Sequence, residues 1–335
     1  MQIALRRVGT AAVAASALSL VLTACGGAAE PAEPAGGAGA DAAATIEVED
    51  NHGTQTVPAD AQSIIATDNR IFETLESWDV ELSAAPRTLM PATSGYKDNE
   101  DILDLGNHRE PDLESAVAAE PDLILNGQRF AQYREQLAEL NPDVPIVELD
   151  PRDGENFGEE LKRQTTVLGQ IFGKESEADQ LTADFDAAVE RVEAAYNPDQ
   201  KVLAVITSGG EINYAAPHEG RTLGAVYDMV ELTPALEVDD TSGNHEGDGV
   251  SVEAIAQSNP DWILVMDRDA AVAPNNGEEY TPANELLKSS QALTDVTAVK
   301  EDNIVYMPED TYTNEGIQTY TEFLNSIADA MEQQS

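Results

Sequence analysis

Two stretches of this chain repeat one pattern of apolar and polar positions. Leu113–Arg129 and Val252–Arg268 are related by a constant offset of 139 residues. In each copy the pattern predicts a short helix, a proline that ends it, a buried apolar strand and an arginine just past the strand. A unit repeated at this distance indicates two similar lobes.

The repeat also matches charged positions. It aligns Glu114 with Glu253 and Arg129 with Arg268, and both copies carry Pro-Asp directly before the strand. The residues that precede the two predicted helices, Asp112 and Ser251, are both N-cap types. Two arginines that leave equivalent strands predict that the lobes face each other across something anionic.

The remaining periodicity alternates between strands and helices in both halves of the chain. It predicts a hairpin over Thr45–Val57 and strands at Ser63–Ala66, Val144–Leu149, Val202–Thr207, Ile212–Ala215 and Ile304–Met307. It predicts helices at Asn69–Trp78, Phe130–Leu140, Phe157–Phe172, Glu175–Tyr196, Leu223–Met229, Ala283–Leu287 and Glu315–Met331. The alternation is typical of α/β lobes of Rossmann-like type with largely parallel sheets.

One predicted helix is suited to join the lobes. Glu175–Tyr196 follows the helix at Phe157–Phe172 without an intervening strand, and at 1.5 Å per residue it would span roughly 33 Å. We therefore place the first lobe at residues 45–173, a single long backbone helix at 174–197 and the second lobe at 198–335, with a ligand cleft between the lobes.

The N-terminus has the composition of an export signal. Residues 1–24 combine Arg6 and Arg7 with an uncharged, mostly apolar run, which ends in a sequence resembling the bacterial lipobox at Cys25. That resemblance implies lipid attachment to Cys25, the only cysteine of the chain. Residues 25–44 are rich in Gly, Ala, Pro and Glu and predict a flexible tether.

The charge of the chain is strongly acidic. Removing residues 1–24, which hold two arginines and no acid, lowers the formal net charge from −45 to −47. Nucleic acid and anionic lipid are thereby excluded as partners of the folded body, because both would be repelled. An acidic, solvated surface also keeps an exported protein soluble. With few basic residues left, an arginine at a strand end becomes informative.

Three stretches carry a resemblance to a known family. LGNHREPDLESAVAAEPDLILNGQR, GEINYAAPHEGR and SVEAIAQSNPDWILVMDR, together with the lipobox and the single long helix, resemble the class III (cluster A) substrate-binding lipoproteins of ABC importers. Within that class the chain is most similar to Gram-positive binding proteins for ferric siderophores of the catecholate type. The resemblance implies a monomer without a cofactor, held by Cys25 at the outer face of the cell membrane, which passes a ferric siderophore to a permease for iron uptake.

The resemblance implies that Arg129, Arg221 and Arg268 bind the ligand. A ferric tris-catecholate carries about three negative charges, and planar guanidinium groups offer it several donors and stack on its rings. In the family the first arginine follows the glycine directly, whereas here Gln128 stands between Gly127 and Arg129. Either Arg129 or Gln128 therefore faces the ligand.

His245 and Tyr312 lie where some members of the family place side chains that can contact Fe(III). The match is loose, because Glu246 separates the histidine from the glycine that normally follows it, and Tyr306 and Tyr320 compete with Tyr312 for the same role. We assign no direct metal ligand from the sequence. Both residues are also explained as solvated loop positions.

Glu114 and Glu253 match the family's pair of acids that dock on arginines of the permease. An acid in the first turn of a helix also complements the helix dipole without any partner. The second explanation suffices for either residue alone, whereas the symmetrical pair favours docking.

Other functional classes lack their motifs. We find no P-loop, no G-x-S-x-G, no H-E-x-x-H and no dinucleotide glycine pattern, so the sequence predicts no enzyme. Four scattered histidines disfavour a site for bare Zn or Mn. Haem or cobalamin binding on the same fold is the alternative that remains, and it requires an apolar, aromatic cleft.

Overall fold

In the computed structural model, residues 44–334 form two α/β lobes, each built on its own sheet. The signal segment, Cys25 and nearly all of the tether lie outside these described residues. No helix among residues 44–334 is long and apolar enough to cross a membrane.

The first lobe contains a five-stranded parallel sheet with the strand order β5-β4-β3-β8-β9. Two small antiparallel pairs, β1-β2 and β6-β7, accompany it. The strands are β1 Thr45–Asp50, β2 Gly53–Pro58, β3 Ile64–Ala66, β4 Ala84–Ala85, β5 Leu103–Asp104, β6 Gly106–Asn107, β7 Glu110–Pro111, β8 Leu123–Asn126 and β9 Ile146–Glu148. The helices are α1 Phe72–Ser77, α2 Gly95–Asp98, α3 Leu113–Ala118 and α4 Arg134–Leu140, with 3₁₀ turns at Arg87–Leu89 and Gln128–Tyr133.

The second lobe contains a four-stranded sheet with the order β11-β10-β12-β13, in which only β11 is antiparallel. Its strands are β10 Val202–Ser208, β11 Glu211–Ala215, β12 Trp262–Asp267 and β13 Ile304–Tyr306. Two helices precede it, α5 Phe157–Phe172 and α6 Glu175–Ala195. Its own helices are α7 Val226–Met229, α8 Val252–Ser258, α9 Arg268–Asn276, α10 Ala283–Ser289, α11 Thr297–Lys300 and α12 Ile317–Glu332, with a 3₁₀ turn at Thr311–Thr313.

The central strands are apolar throughout because both faces of each sheet are covered. Along β10, Val202, Ala204 and Ile206 pack into one core while Leu203 and Val205 pack into another. This is the expected consequence of a sheet with helices on both sides. The continuous apolar runs in the sequence therefore mark the strands that lie deepest.

The repeated unit has the same structure in both lobes. It forms α3 and β8 in the first lobe, and α8 and β12 in the second. Asp112 caps α3 by accepting from the N–H of Ser115 at 3.1 Å, and Ser251 caps α8 by accepting from the N–H of Ala254 at 3.2 Å. The predicted helix, cap and strand are confirmed in each copy.

The aspartate of each Pro-Asp pair ties its strand to the neighbouring one. Asp122 accepts hydrogen bonds from the backbone N–H groups of Gln62 and Ser63, at 2.8 and 3.0 Å, just before β3. Asp261 accepts from the N–H of Lys201 at 2.7 Å, just before β10. These carboxylates satisfy donors at the entry to the central strand, which explains why the motif occurs twice.

The predicted long helix runs between the lobes, and a second helix packs against both of them. Helix α6 runs from the first core, where Ala178 packs, to the second, where Phe185 and Val192 pack, as the sequence predicts. Helix α5 also contacts both cores, through Leu161 in the second and Leu168 in the first. The amphipathic pattern of α5 predicts a helix. It does not show that this helix contacts both lobes.

Three local predictions differ from the structure. Phe130–Leu140 is not one α-helix, because a 3₁₀ turn occupies Gln128–Tyr133 before α4 begins. The helix expected from Leu223 starts only at Val226. Helix α9 was not predicted from the sequence. It begins at Arg268 and contains Pro274.

Candidate functional site

Three arginines surround the ring of Tyr312. The guanidinium carbons of Arg129, Arg221 and Arg268 lie 5.2, 5.1 and 4.9 Å from its centre. Arg129 comes from the first lobe and the other two from the second, so the ring is a meeting point of both lobes. We call these four residues the arginine cluster. Each contact is within the range of a cation–π interaction.

The carboxyl ends of parallel strands position the cluster. Arg129 follows β8 and Arg268 follows β12, while Tyr312 lies in the connection that leaves β13. Ligands of open α/β sheets bind at this edge. The prediction that both repeat arginines reach the space between the lobes agrees with this geometry.

The backbone at Gly127 and Gln128 explains how Arg129 reaches the cleft despite the inserted glutamine. A Cβ on Gly127 would lie 2.8 Å from an oxygen of Asp68 and 3.1 Å from one of Asp150, so these two carboxylates crowd the position. Gln128 has a φ of 49°, and its N–H donates to Asp150 at 2.7 Å. This left-handed turn directs the Arg129 side chain to Tyr312.

Gln128 faces the cleft as well. Its Nε2 donates to Glu315 of the second lobe at 3.0 Å. The sequence treated Gln128 and Arg129 as alternatives, but the structure brings both side chains to the space between the lobes.

Glu315 is a carboxylate of the cleft that was not predicted from the sequence. It is buried and accepts hydrogen bonds from Arg221 Nη2 at 2.8 Å and Thr222 Oγ1 at 2.6 Å, besides the one from Gln128. Burial alone would raise the pKa of Glu315, but Arg221, Arg70 and Arg129 lower it below its ordinary value. Glu315 is therefore a fixed negative charge among the arginines.

A fourth arginine, Arg70, was also missed. It follows β3 and lies 3.2 Å from an Asp150 oxygen and 3.6 Å from an Asp68 oxygen. Asp68 is buried, and this burial raises its pKa to about 6 although Arg70 acts to lower it. The isolated Arg70 in the sequence belongs to no repeat, so only the meeting of strand ends in space reveals its place.

Several guanidinium nitrogens of the cleft are buried without a hydrogen-bond partner among residues 44–334. They are Arg70 Nε, Arg129 Nη2 and Arg268 Nε. Burial lowers the pKa of Arg129, and the neighbouring Arg221 adds to that effect. Buried donors without acceptors are costly, so the arrangement is suited to an anion that brings acceptors with it.

A cavity of about 630 Å³ lies beside Arg70 and Arg129. Its charged lining consists of four arginines and five carboxylates: Arg70, Arg129, Arg152, Arg221, Asp150, Asp153, Glu155, Asp228 and Glu315. A larger cavity of about 940 Å³ lies elsewhere between the lobes. Carboxylates dominate its charged lining, with Glu73, Glu76, Glu309, Asp310 and Glu322. No lysine or arginine lines the larger cavity, so an anion would be repelled there, whereas four arginines line the smaller one beside its carboxylates. The smaller cavity is therefore the better candidate for the site.

The two residues considered for contact with Fe(III), His245 and Tyr312, differ in their placement. Tyr312 is the tyrosine at the arginines, since Tyr320 is buried and donates to the carbonyl of Thr222 at 3.0 Å and Tyr306 lies on β13. His245 is on an exposed loop. Burial lowers its pKa, and Arg268 lowers it further, which places the imidazole within electrostatic reach of the cluster.

The side chains that commonly bind metal ions do not form a cluster in the described part of the chain. Among residues 44–334, no three His, Cys, Asp or Glu side chains form a set that could hold a metal ion.

Glu114 and Glu253 lie in the first turns of α3 and α8 and are exposed. Neither side chain forms a salt bridge or hydrogen bond within residues 44–334. The two carboxylates are thus equivalent in position and accessible on both lobes.

Comparison with known proteins identifies related chains. A model of the family described as "Periplasmic binding protein" matches residues 64–311. The petrobactin-binding protein YclQ of Bacillus subtilis is 24% identical over 289 residues, covering 84% of this chain and 86% of its own. The ferric-anguibactin-binding protein FatB of Vibrio anguillarum is 29% identical over 252 residues, covering 74% and 76%.

Solved structures share the fold. The crystal structure of the periplasmic catecholate-siderophore binding protein VctP from Vibrio cholerae superimposes with a TM-score of 0.73 at 21% identity. The alignment covers 87% of this chain and all of that one. The two-lobed architecture is therefore shared across nearly the whole described body.

Proposed function

This chain belongs to the periplasmic binding protein family, and on that premise we propose that it captures a ferric siderophore outside the cytoplasm for an ABC importer. The ligand is of the catecholate type, and the protein delivers it to the membrane permease for iron uptake. The chain acts by binding, without catalysis and without a cofactor of its own.

The observation that supports this proposal is the convergence of Arg129, Arg221 and Arg268 on the Tyr312 ring. Phenolate oxygens of a ferric catecholate carry the negative charge and the acceptor lone pairs that the unpartnered guanidinium nitrogens need. Its rings also suit stacking against guanidinium planes. The relatives named for petrobactin, anguibactin and catecholate siderophores support the same ligand class.

The haem or cobalamin alternative is less supported. A macrocycle of that kind requires an apolar, aromatic cleft, whereas nine carboxylate and guanidinium side chains line the cavity beside Arg129, together with Phe157 and Tyr320. The relatives that share most of the chain are named for ferric siderophores.

Further parts of the proposal concern how the protein is held and what it contacts. Lipid on Cys25 anchors the protein to the outer face of the membrane, as in Gram-positive cells, and residues 25–44 tether it. Glu114 and Glu253 dock on the permease. His245 and Tyr312 contact Fe(III) where the siderophore leaves coordination positions open, since imidazole and phenolate are both suitable ligands.

Titration of the purified protein with ferric chelates tests the proposal. Quenching of Trp78 and Trp262 fluorescence should saturate with a ferric tris- or bis-catecholamide and should be absent with haem and cobalamin. Arg221→Ala and Arg268→Ala should each weaken the ferric catecholate by about tenfold or more, as expected for loss of a charge-assisted contact. Saturable binding of haem or cobalamin, with none of ferric catecholates, would overturn the assignment.

A further inference from the structure

The four arginines of the cleft are neutralised to different degrees. Two carboxylates lie near Arg70: its Nη1 is 3.2 Å from an oxygen of Asp150 and 3.6 Å from an oxygen of Asp68. Arg129 forms no salt bridge within residues 44–334. In the same part of the chain, the carboxylate paired with Arg268 is that of Asp269, whose oxygen lies 3.8 Å from Arg268 Nη1. The positive charge available to a ligand is therefore concentrated on Arg129 and Arg268.

Arg221 is the third arginine on Tyr312, but its charge is already paired. Its Nη2 and Nε lie 2.8 and 3.3 Å from the two oxygens of Glu315. Glu315 is only 4% exposed, and Thr222 and Gln128 hold the same carboxylate. Because donors from four nitrogen and oxygen atoms fix it in place, the carboxylate cannot turn away to release Arg221 at no cost.

From this arrangement we infer that Glu315 limits the negative charge of the ferric chelates that the cleft accepts. This inference rests on the proposed function and deepens it. Glu315 acts as a specificity-determining residue, which disfavours a trianionic chelate more than a monoanionic one of similar size.

The physical basis is Coulomb repulsion inside a partly desolvated cleft. Glu315 and the ligand share the same arginines, so each negative charge added to the ligand lies close to a fixed carboxylate. Even at the dielectric constant of water, two unit charges about 6 Å apart repel enough to change a dissociation constant by about threefold. The repulsion grows in proportion to the ligand charge, whereas ring stacking and shape do not.

A series of hexadentate chelators separates charge from iron coordination. Chelators with three catechol arms, with two catechols and one hydroxamate, and with one catechol and two hydroxamates give trianionic, dianionic and monoanionic Fe(III) complexes. All three saturate the iron, so the protein need not supply a ligand. Dissociation constants are measured for the wild-type protein and Glu315→Gln, and each chelate is compared only with itself.

Glu315→Gln should bind all three chelates more tightly than the wild-type protein does. The gain should increase by about threefold or more with each added negative charge. Glu309→Gln is the matched control, because Glu309 is an exposed carboxylate on the segment that leads to Tyr312 and lies in the acidic cavity. Because water screens this exposed carboxylate, Glu309→Gln should leave the three dissociation constants nearly unchanged.

A charge-pair cycle keeps the inference testable even if Glu315→Gln folds poorly. Arg221→Gln should lose affinity most steeply for the trianionic chelate, because it leaves the Glu315 charge uncompensated. Adding Glu315→Gln on that background removes the unpaired carboxylate and should restore the charge dependence of the wild-type protein.

The outcomes distinguish this inference from the proposed function. If Glu315→Gln binds all three chelates more tightly by the same factor, the role of Glu315 is rejected and the proposed function stands. The same holds if the double variant does not restore the charge dependence of the wild-type protein. Failure of the wild-type protein to bind any of the chelates would reject the proposed function and this inference together.

Discussion

The guanidinium of Arg129 rests on the ring of Tyr312, with 5.2 Å from its carbon to the ring centre. A side chain from the first lobe thus contacts one from the second at the point where two further arginines converge. The contact is made without a carboxylate partner for Arg129, and its Nη2 is buried without an acceptor within residues 44–334. The guanidinium of Arg129 therefore carries a positive charge in the cleft that no carboxylate of residues 44–334 pairs in a salt bridge.

Replacing Arg129 should therefore separate ligand binding from stability. Arg129→Met keeps the length of the side chain but removes the buried charge. We expect affinity for a ferric catecholate to fall by about tenfold or more, while the melting temperature stays the same or rises by about 2–4 °C, since a buried donor without a partner is relieved. Arg109→Met, at an exposed position, is the control. A lower melting temperature with unchanged affinity would contradict the placement of Arg129 in the site.

The left-handed turn before Arg129 makes a second prediction. Gly127→Ala would bring a Cβ to 2.8 Å from an oxygen of Asp68, so either Asp68 or the turn with Gln128 and Arg129 must shift. We expect a lower melting temperature and weaker ferric catecholate binding. Gly249→Ala is the matched control, because nothing lies within 4 Å of the added carbon. Equal melting temperatures and affinities for the two variants would show that the turn tolerates the side chain.

The ion pairs of Glu160 predict how stability depends on acid. Burial acts to raise the pKa of Glu160, but hydrogen bonds from Arg152 and Arg163 dominate and lower it to about 2. The stabilisation is complete above the ordinary carboxyl pKa and is lost as the pH falls from 4.5 towards 2. It amounts to about 1–2 kcal/mol, less than the full pKa shift implies, because Arg152 is half exposed and water screens the pair.

Glu160→Gln tests this assignment. The variant should be less stable at neutral pH, and its free energy of unfolding should change less between pH 4.5 and 2 than that of the wild-type protein. Chemical denaturation at a series of pH values measures both quantities. Parallel pH profiles for the two proteins would mean that Glu160 does not carry the effect.

The exposed pair Glu114 and Glu253 predicts a transport defect without a binding defect. Glu114→Ala with Glu253→Ala should leave the dissociation constant for ferric catecholate unchanged and abolish siderophore-dependent iron uptake in cells. Lysine at either position should be at least as damaging, because under the proposed docking it would meet basic side chains of the permease. Uptake at the wild-type rate would show that these acids serve only the helix dipole.

The proposed iron contact of Tyr312 has a spectroscopic test. With a ferric bis-catecholamide that leaves two coordination positions open, a bound phenolate or imidazole changes the visible charge-transfer band of the complex. Tyr312→Phe and His245→Ala should each abolish part of that change but leave the spectrum of a saturated tris-catecholamide unaltered. Identical spectra for wild type and variants would remove both residues from the iron.

The sequence predicts those features of the fold that local patterns determine. The hairpin at Thr45–Val57, the full extent of α5 and both copies of the repeated helix and strand follow from periodicity, caps and turn residues. The start of α9 at Arg268 was missed, because the preceding strand and a proline at position 274 mask its helical pattern. The 3₁₀ turn at Gln128–Tyr133 was partly predicted as α-helix, because it leads directly into α4.

The site was only partly predictable, since most of it is created by topology. Arg129 and Arg268 could be found from the repeat. Arg70 and Glu315 could not, because 245 positions of sequence separate them and nothing in their local sequence marks them as neighbours. Glu315 was read as the start of the last helix, whereas that helix begins at Ile317 and the carboxylate turns towards the arginines.

The arginine cluster belongs to a chain with a formal net charge of −45, and this opposition of charge affects the speed of capture. An anionic chelate that approaches from a distance is repelled by the whole protein, and it meets attraction only within the last ~10 Å, at the mouth of the cleft. Added salt screens the distant repulsion more than the close contacts. The association rate should therefore rise with ionic strength, so the acidic surface would make this protein a faster collector of iron in saline surroundings than in fresh water.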